Sequence, residues 1–383
     1  MKKIVIIGAN SFQNPLIMKA KEMGYETHVF AWAEGAIGEK TSDYFYPISI
    51  TEKEKILGEC IKIKPVAIAT IASDLANITV NYLCNKLGLI TNSEKSVLVS
   101  TNKYEMRKAL KDYGIPTPGF ACVNKLNYLD CIQNIKFPII VKPTDRSGSR
   151  GITKVNSMKD LENAVNVATE NSFENKAIIE EYIEGQEYSC ECISYKGEHH
   201  FLAITKKFTT GSPNFIEIGH LQPSQLMLET EEKIKKQVFK ALDALKIENG
   251  PSHSEFKVNN EGEIRIIEIG SRMGGDCIGS DLVKISTGYD FLRMNLEVAL
   301  GKEPTLSKTD DRKIAIIRFI FNDNDLSKLS MIKNNYPENI YFISDIKINN
   351  EIGIVDSSSR FGYYILSCDD ISILDFLFEE EKR

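Results

Sequence analysis

The sequence predicts a mixed α/β and α+β chain. A doubly wound parallel-sheet domain is expected at the amino terminus, then an α+β body, then a separate C-terminal piece. Three observations predict it. Strand and helix signals alternate over the first ~100 residues. Two prolines, Pro116 and Pro118, then break that pattern. Beyond them strand signals dominate, with only two clear helices among them.

Ile4–Ile7 is a continuous apolar run turned by Gly8-Ala9-Asn10, as in a strand buried on both faces. A helix through Met18-Lys19-Ala20 ends at Gly24, and Thr27–Ala31 and Val66–Thr70 are the next strands. Ala76–Leu87 has helical spacing and stops at Gly88. Thr101–Tyr113 is an amphipathic helix closed by Gly114, after which Ile115-Pro116-Thr117-Pro118 fixes an extended connection. Strands follow at Ile139–Lys142, Ile178–Tyr182, Glu187–Ser194, His200–Lys206, Glu255–Val258 and Ile264–Ile269, with helices near Lys159–Glu170 and Glu231–Leu245. From about Lys302 a separate piece is expected, with strands near Ile314–Phe321 and Ile352–Val355. The sequence has no internal repeat.

Composition bounds the function. With 383 residues the chain has room for two to four domains, and its 42% hydrophobic and 26% charged residues are those of a globular protein. No apolar run approaches the ~20 residues that span a bilayer. The short apolar start reads as a first strand rather than a signal peptide, so a cytoplasmic location and no membrane partner are expected. A net charge of −6 gives no general attraction for nucleic acid. Eight scattered cysteines without a CxxC pair read as free thiols, and five histidines lack metal-ligand spacing.

Three clusters carry chemistry. In Phe137-Pro138-Ile139-Ile140-Val141-Lys142-Pro143 an apolar strand delivers one lysine, and Asp145-Arg146-Ser147-Gly148-Ser149-Arg150-Gly151 follows. A compact ammonium beside a glycine-rich loop suits a polyphosphate, although a ligand-free hairpin loop gives the same pattern. Glu180-Glu181-Tyr182-Ile183-Glu184-Gly185-Gln186-Glu187 bends at Gly185. Taken alone it reads first as a solvated acidic turn, and second as a strand end that suits ribose and adenine. The third cluster is a hairpin, Glu255–Val258 and Glu263–Ile269, turned at Asn259-Asn260-Glu261-Gly262. A turn centred there pairs Glu255 with Ile266, leaving Glu268 as a diagonal neighbour roughly 7–8 Å away. Glu268 interrupts an apolar string, so it must pair or bind metal. Two such carboxylates can hold Mg²⁺ ions about 3.5–4 Å apart.

These clusters, in this order, resemble the ATP-grasp superfamily over nearly the whole chain. Ser271-Arg272-Met273-Gly274-Gly275-Asp276, Gly250-Pro251-Ser252-His253-Ser254-Glu255 and Gly219-His220-Leu221-Gln222-Pro223-Ser224 resemble the branch of bacterial L-amino acid ligases and carbamoyl-phosphate synthetases. The resemblance implies a Rossmann-like domain (1–98), an ATP-grasp domain (99–301) with a lid lobe (118–184), and a C-terminal domain (302–383). It implies ATP with Mg²⁺ or Mn²⁺. Lys103 and Lys142 would hold the phosphates, Lys142 with a catalytic part beside Arg272. Ser147, Gly148, Ser149 and Gly151 would form the closing loop. Glu180, Glu181, Tyr182, Ile183 and Ile267 would line the adenine pocket, and Glu187 would bind ribose. Glu255 and Glu268 would ligate metal, while Arg272 would face a developing acyl phosphate. Where many members have asparagine two residues after the second metal glutamate, this chain has Gly270.

The activity implied is an ADP-forming carboxylate–amine ligase with small-molecule carboxylate and amine substrates and a homodimer as the candidate assembly. The alternative is a carboxyphosphate- or carbamate-forming enzyme. A nicotinamide-dependent oxidoreductase lacks its GxGxxG fingerprint, and a non-catalytic nucleotide sensor does not account for both metal carboxylates and Arg272. His220 and His253 are open to structural or substrate roles, as are Gly274, Gly275 and Asp276. Lys257 reads as a structural partner of a carboxylate.

Overall fold

A computed structural model describes residues 1–133, 135–148, 150–212, 215–348, 357–372 and 376–378. Its first sheet has β1 (Lys3–Ile7), β2 (Glu26–Phe30), β3 (Tyr44–Tyr46) and β4 (Ala67–Ala69), all parallel, in the order β3-β2-β1-β4. Ile4 to Ile7 are fully buried because helices cover both faces. One face packs on α1 (Asn14–Glu22), the other on α2 (Lys53–Ile63) and α3 (Asp74–Leu87). At roughly 1.5–3 kcal/mol per buried Ile or Leu, this double covering anchors the domain. Sequence sets the limits of α3: the Ser73 hydroxyl accepts from the Ala76 amide, and Gly88 closes the helix in the left-handed conformation.

A helix the sequence reading did not include, α4 (Glu94–Thr101), runs directly into α5 (Lys103–Asp112), the helix expected over Thr101–Tyr113. Asn102 breaks them apart: its backbone is extended and its side chain caps α5 by accepting from the Tyr104 and Glu105 amides. The break turns Lys103 and Arg107, one helical turn apart, toward the chain that follows.

Two antiparallel sheets make up the rest. The smaller contains β5 (Phe120–Val123), β6 (Ile139–Pro143), β7 (Thr153–Val155) and β8 (Ala177–Glu181), ordered β5-β8-β6-β7. A short helix, α6 (Tyr128–Cys131), and the longer α7 (Leu161–Asn171) cover its apolar face. The larger sheet has eight strands: β9 (Gln186–Tyr195), β10 (Glu198–Thr209), β11 (Glu217–Gln222), β12 (Gly250–Val258), β13 (Ile264–Gly270), β14 (Ile314–Ile320), β15 (Ile340–Ile343) and β16 (Gly362–Cys368). Their order is β13-β12-β9-β10-β11-β14-β16-β15. Cys190 and Cys192 of β9 join the core under α5 and α8 (Leu228–Ala244), so by alternation Glu187, Ser189 and Glu191 face the other way.

The C-terminal segment does not stand apart as the sequence suggested. β14 pairs with β11, so β14, β16 and β15 continue the central sheet. The strand expected at 352–355 lies outside the described residues. No described helix is long and apolar enough to cross a membrane.

Candidate active site

The two antiparallel sheets face each other across a cleft of 170 Å³, which opens into a larger cavity of 960 Å³. Ser147, Gly148, Glu217, His253, Glu255 and Arg272 line both, so the two spaces are continuous. Lys103, Lys142, Glu180, Glu181, Tyr182, Ile183, Glu187, Ile267 and Glu268 line the cleft. His220, Gly275 and Asp276 line the larger cavity. Gly151 packs away from both, against Pro143 and Asn171. Gly274 is a wall element: a Cβ there would lie 2.7 Å from the His253 ring, and its amide donates to Glu191 at 3.3 Å. Ser149 lies outside the described residues.

On the smaller sheet, Lys142 is buried and its ammonium sits 2.7 Å from Glu180. Glu180 also takes the Arg107 Nε at 2.5 Å. Burial alone raises the Glu180 pKa, but Arg107 and Lys142 outweigh it and hold the carboxylate at about 2. Burial is also what lowers the Lys142 pKa, against the pull of Glu180. Each Glu180 carboxylate oxygen thus has its own cation, Oε1 the Arg107 guanidinium and Oε2 the Lys142 ammonium. Glu181 is likewise committed, accepting from the Gly119 amide at 3.0 Å. Lys257 does not pair with a carboxylate as expected; it donates to the Ile183 carbonyl at 3.2 Å and lies over the Tyr182 ring. Gly185 is the bend: its φ is +121°, and a Cβ would meet the Val258 carbonyl at 2.4 Å.

The larger sheet corrects one expectation. Glu255 lies directly opposite Glu268, not Ile266. The register shifts between Glu255 and Phe256, so Ile267 is an extra residue in β13 and Ile266 pairs with Phe256 in the core. The Ile267 carbonyl is fixed by the Arg107 guanidinium at 2.7 Å. The bulge turns a diagonal pair into a facing one. Two facing carboxylates repel, and each is balanced by a lysine: Lys103 at 2.8 Å from Glu268, Lys207 at 2.5 Å from Glu255.

Lys207 is buried among three carboxylates, Glu255, Glu187 at 3.2 Å and Glu217 at 3.6 Å. Burial lowers its pKa, but the three acids carry it well above the ordinary value. His253 bridges Glu191 (2.5 Å) and Glu255 (3.2 Å). Burial pulls its pKa down, yet Glu191 and Glu255 push it up to about 9, so the ring is an imidazolium at neutral pH. His220 is buried 3.6 Å from Asp276, and burial lowers its pKa. Asp276 is held by a two-point contact with Arg360, at 2.8 and 2.9 Å. Burial works against the Asp276 charge, and Arg360 keeps it ionised. Arg272 makes a two-point contact with Asp74 of α3, at 2.8 and 3.2 Å.

Sequence reasoning missed Arg107, Lys207, Glu191, Asp74 and Arg360. Two had a signal. Arg107 follows Lys103 by one helical turn, and Glu191 interrupts an apolar run as Glu268 does. Asp74 and Arg360 reach the site only through tertiary packing.

Residues 135–280 match the family model described as ATP-grasp domain. The chain contains an ATP-grasp domain. It is 25% identical over 269 residues to an L-arginine-specific L-amino acid ligase of Bacillus subtilis, covering 67% of this chain and 63% of that one. It is 28% identical over 283 residues to an alanine–anticapsin ligase of Bacillus subtilis, covering 67% and 59%. The chain thus spans about three fifths of the length of these relatives. The structure of an L-amino acid ligase from Bacillus licheniformis matches with a TM-score of 0.83 at 23% identity, over 100% of this chain and 97% of that one. The ATP-grasp fold therefore extends beyond the matched domain to the whole chain.

Proposed function

We propose that this ATP-grasp protein is an ADP-forming ligase that joins a small carboxylate to an amine. The facing pair Glu255 and Glu268, set between cationic walls in a cleft that opens into a second cavity, carries this reading. Tyr182, Ile183, Ile267 and Phe215 give the cleft an apolar end suited to a nucleobase. Lys142 spends one N–H on Glu180, Lys103 spends one on Glu268 and one on the Arg146 carbonyl, and each ammonium, with three donors, retains at least one for a phosphate oxygen. Glu187 remains a hydroxyl acceptor at the rim.

The donor set fits a magnesium ion. Glu255 and Glu268 offer hard carboxylate oxygens, and burial, which opposes ionisation of Glu255, is outweighed by Lys207 and His253. Among the described residues no group of three or more acidic, histidine or cysteine side chains could hold a metal alone, so phosphate oxygens would complete the shell. Mg²⁺ or Mn²⁺ bound there would neutralise phosphate charge during transfer. Arg272, at the junction of cleft and cavity, would stabilise the γ-phosphoryl group as a substrate carboxylate oxygen attacks it and ADP leaves. The amine would then attack the acyl carbon, and phosphate would depart with the carboxylate oxygen. Residues 118–184 would close over the nucleotide, with Gly185 as hinge. The 960 Å³ cavity beside the cleft has room for a small-molecule carboxylate together with an amine.

Pairs of amino acids screened with Mg-ATP identify the substrates through phosphate release. The nucleotide product should be ADP, and hydroxylamine should trap the activated carboxylate as a hydroxamate without amine. AMP as product rules out this mechanism, and turnover that requires bicarbonate alone supports the carboxyphosphate reading.

A further inference from the structure

Three consecutive residues after β13 are held from the amino-terminal domain. Ser271 accepts from the Asn77 side chain at 2.9 Å, Arg272 pairs with Asp74, and the Met273 carbonyl accepts from the Ala72 amide at 3.2 Å. Asp74 opens α3, Asn77 lies one turn further on the same face, and Ala72 precedes the helix. The loop carrying Arg272 is therefore held at each of these residues by α3 or the turn that leads into it, with Ser100 of α4 also bonded to Ser271 at 2.9 Å.

Gly270 adds an independent observation. A Cβ built there would lie 3.1 Å from the Asp74 Oδ1 and 3.3 Å from the Arg272 Nε and Cζ. Even alanine would press on the Asp74–Arg272 pair, and a longer side chain would have to displace it. The volume in which a residue-270 side chain would project is the volume the pair occupies. We propose that Asp74 is the positioning residue for Arg272, and that Gly270 is the opening that admits this pair to the site. The inference rests on the reading of Arg272 as the group facing the γ-phosphoryl.

The chemistry follows from donor counting. A guanidinium has five N–H donors, and Asp74 takes the Nε proton and one Nη2 proton in the fork geometry that fixes its plane. Nη1 donates one proton to the Met273 carbonyl at 3.4 Å, which leaves its second proton and one Nη2 proton for an oxyanion. Burial opposes the guanidinium charge, and Asp74 outweighs it, raising the Arg272 pKa further. Without Asp74 the side chain would keep its charge and lose its orientation.

The test needs no knowledge of the ligase substrates, because MgADP with aluminium fluoride mimics a phosphoryl group in transfer. Its binding is compared with that of MgADP alone by calorimetry. Asp74→Asn, which keeps shape and removes charge, should leave MgADP affinity within about twofold. It should weaken the fluoride-dependent gain about tenfold. Gly270→Ala should cost a comparable part of that gain in the native background, and less than about twofold more once Asp74→Ala is present. Near-ultraviolet circular dichroism checks folding; if Asp74→Asn does not fold, Gly270→Ala disturbs the pair from the other side and carries the test. An unchanged fluoride-dependent gain in Asp74→Asn, or independent effects of the two substitutions, overturns the inference. A native protein that binds MgADP but gains nothing from fluoride removes Arg272 from the phosphoryl end and overturns it too. Failure to bind MgADP at all overturns the nucleotide reading first, and this inference with it.

Discussion

The two walls of the cleft hold opposite balances of charge. On the side of the smaller sheet, Lys142 and Arg107 of α5 share the Glu180 carboxylate, and Arg146 adds a third cation against the second acid, Glu181. On the larger sheet Lys207 and the His253 imidazolium are surrounded by Glu187, Glu191, Glu217 and Glu255. The first wall has positive charge to spare and suits a polyanion. The second has negative charge to spare and suits a divalent cation or a substrate ammonium. A phosphate chain bridged by magnesium would complement both walls at once, which neither wall could achieve alone.

Three substitutions break or sharpen this contrast. The largest effect is expected from Glu268→Ala, which leaves Glu255 facing an apolar residue and Lys103 with the Arg146 carbonyl but no balancing carboxylate. Phosphate release should fall a thousandfold or more, to the order lost when a principal electrostatic group is removed, with the thermal unfolding profile retained. Native rates at saturating Mg-ATP would remove Glu268 from the site.

Glu180→Ala should act on stability instead. It leaves Lys142 and Arg107 buried together without an anion, which costs about 3–5 kcal/mol when a buried pair loses one partner. A matching drop in urea midpoint is the readout. The sign with pH follows from the lowered pKa of about 2 against an ordinary 4.5. The native Glu180 contribution is present above pH 4.5 and is lost as the pH falls toward 2. Native and variant stabilities should therefore converge on acidification.

His253→Gln should have the smallest effect, with the opposite sign. His253 is raised from 6.5 to about 9, so its contribution is full below pH 6.5 and disappears as the pH rises through 9. Native protein should lose stability across that window, measured by denaturant midpoints, and the variant should show a flatter profile. Parallel profiles would mean that His253 is neutral and that the second wall is more acidic still.

Much of this was legible in the sequence where local pattern and chemistry coincide. The lysine delivered by an apolar strand, the glycine bend at 185 and the carboxylate breaking the string around Ile266 are contiguous signals; Lys142 and Glu268 line the cleft, and Gly185 bends the chain between two of its lining residues, Ile183 and Glu187. The facing of Glu255 and Glu268 was not legible, because one inserted residue, Ile267, changes the register while leaving the alternation of types nearly intact. Lys207 was missed because lysine on a strand usually reads as solvated, and only burial among three acids makes it distinctive. Arg360 and Asp74 lie 84 and 198 residues from their partners, Asp276 and Arg272. Local periodicity contains no information at that distance.

The order of strands in the eight-stranded sheet also bears on how the chain acquires its site during synthesis. β9 needs β12 as a neighbour, β11 needs β14, and β14 in turn needs β16 at Gly362–Cys368. Each pairing joins segments far apart in sequence, the slow class of contact. The four parallel strands, made by Ala69 and covered on one face by α2 and α3, can begin to pair while the ribosome is still making β12, whereas their other face is finished only by Phe291 to Val298. α3 then presents Asp74 before Arg272 exists to meet it. The wall bearing Glu255 is left with an open edge until the chain has been made through residue 368. The nascent protein therefore exposes an unfinished sheet for most of its translation, and this sheet, rather than the nucleotide cleft, is where early contact with chaperones is expected.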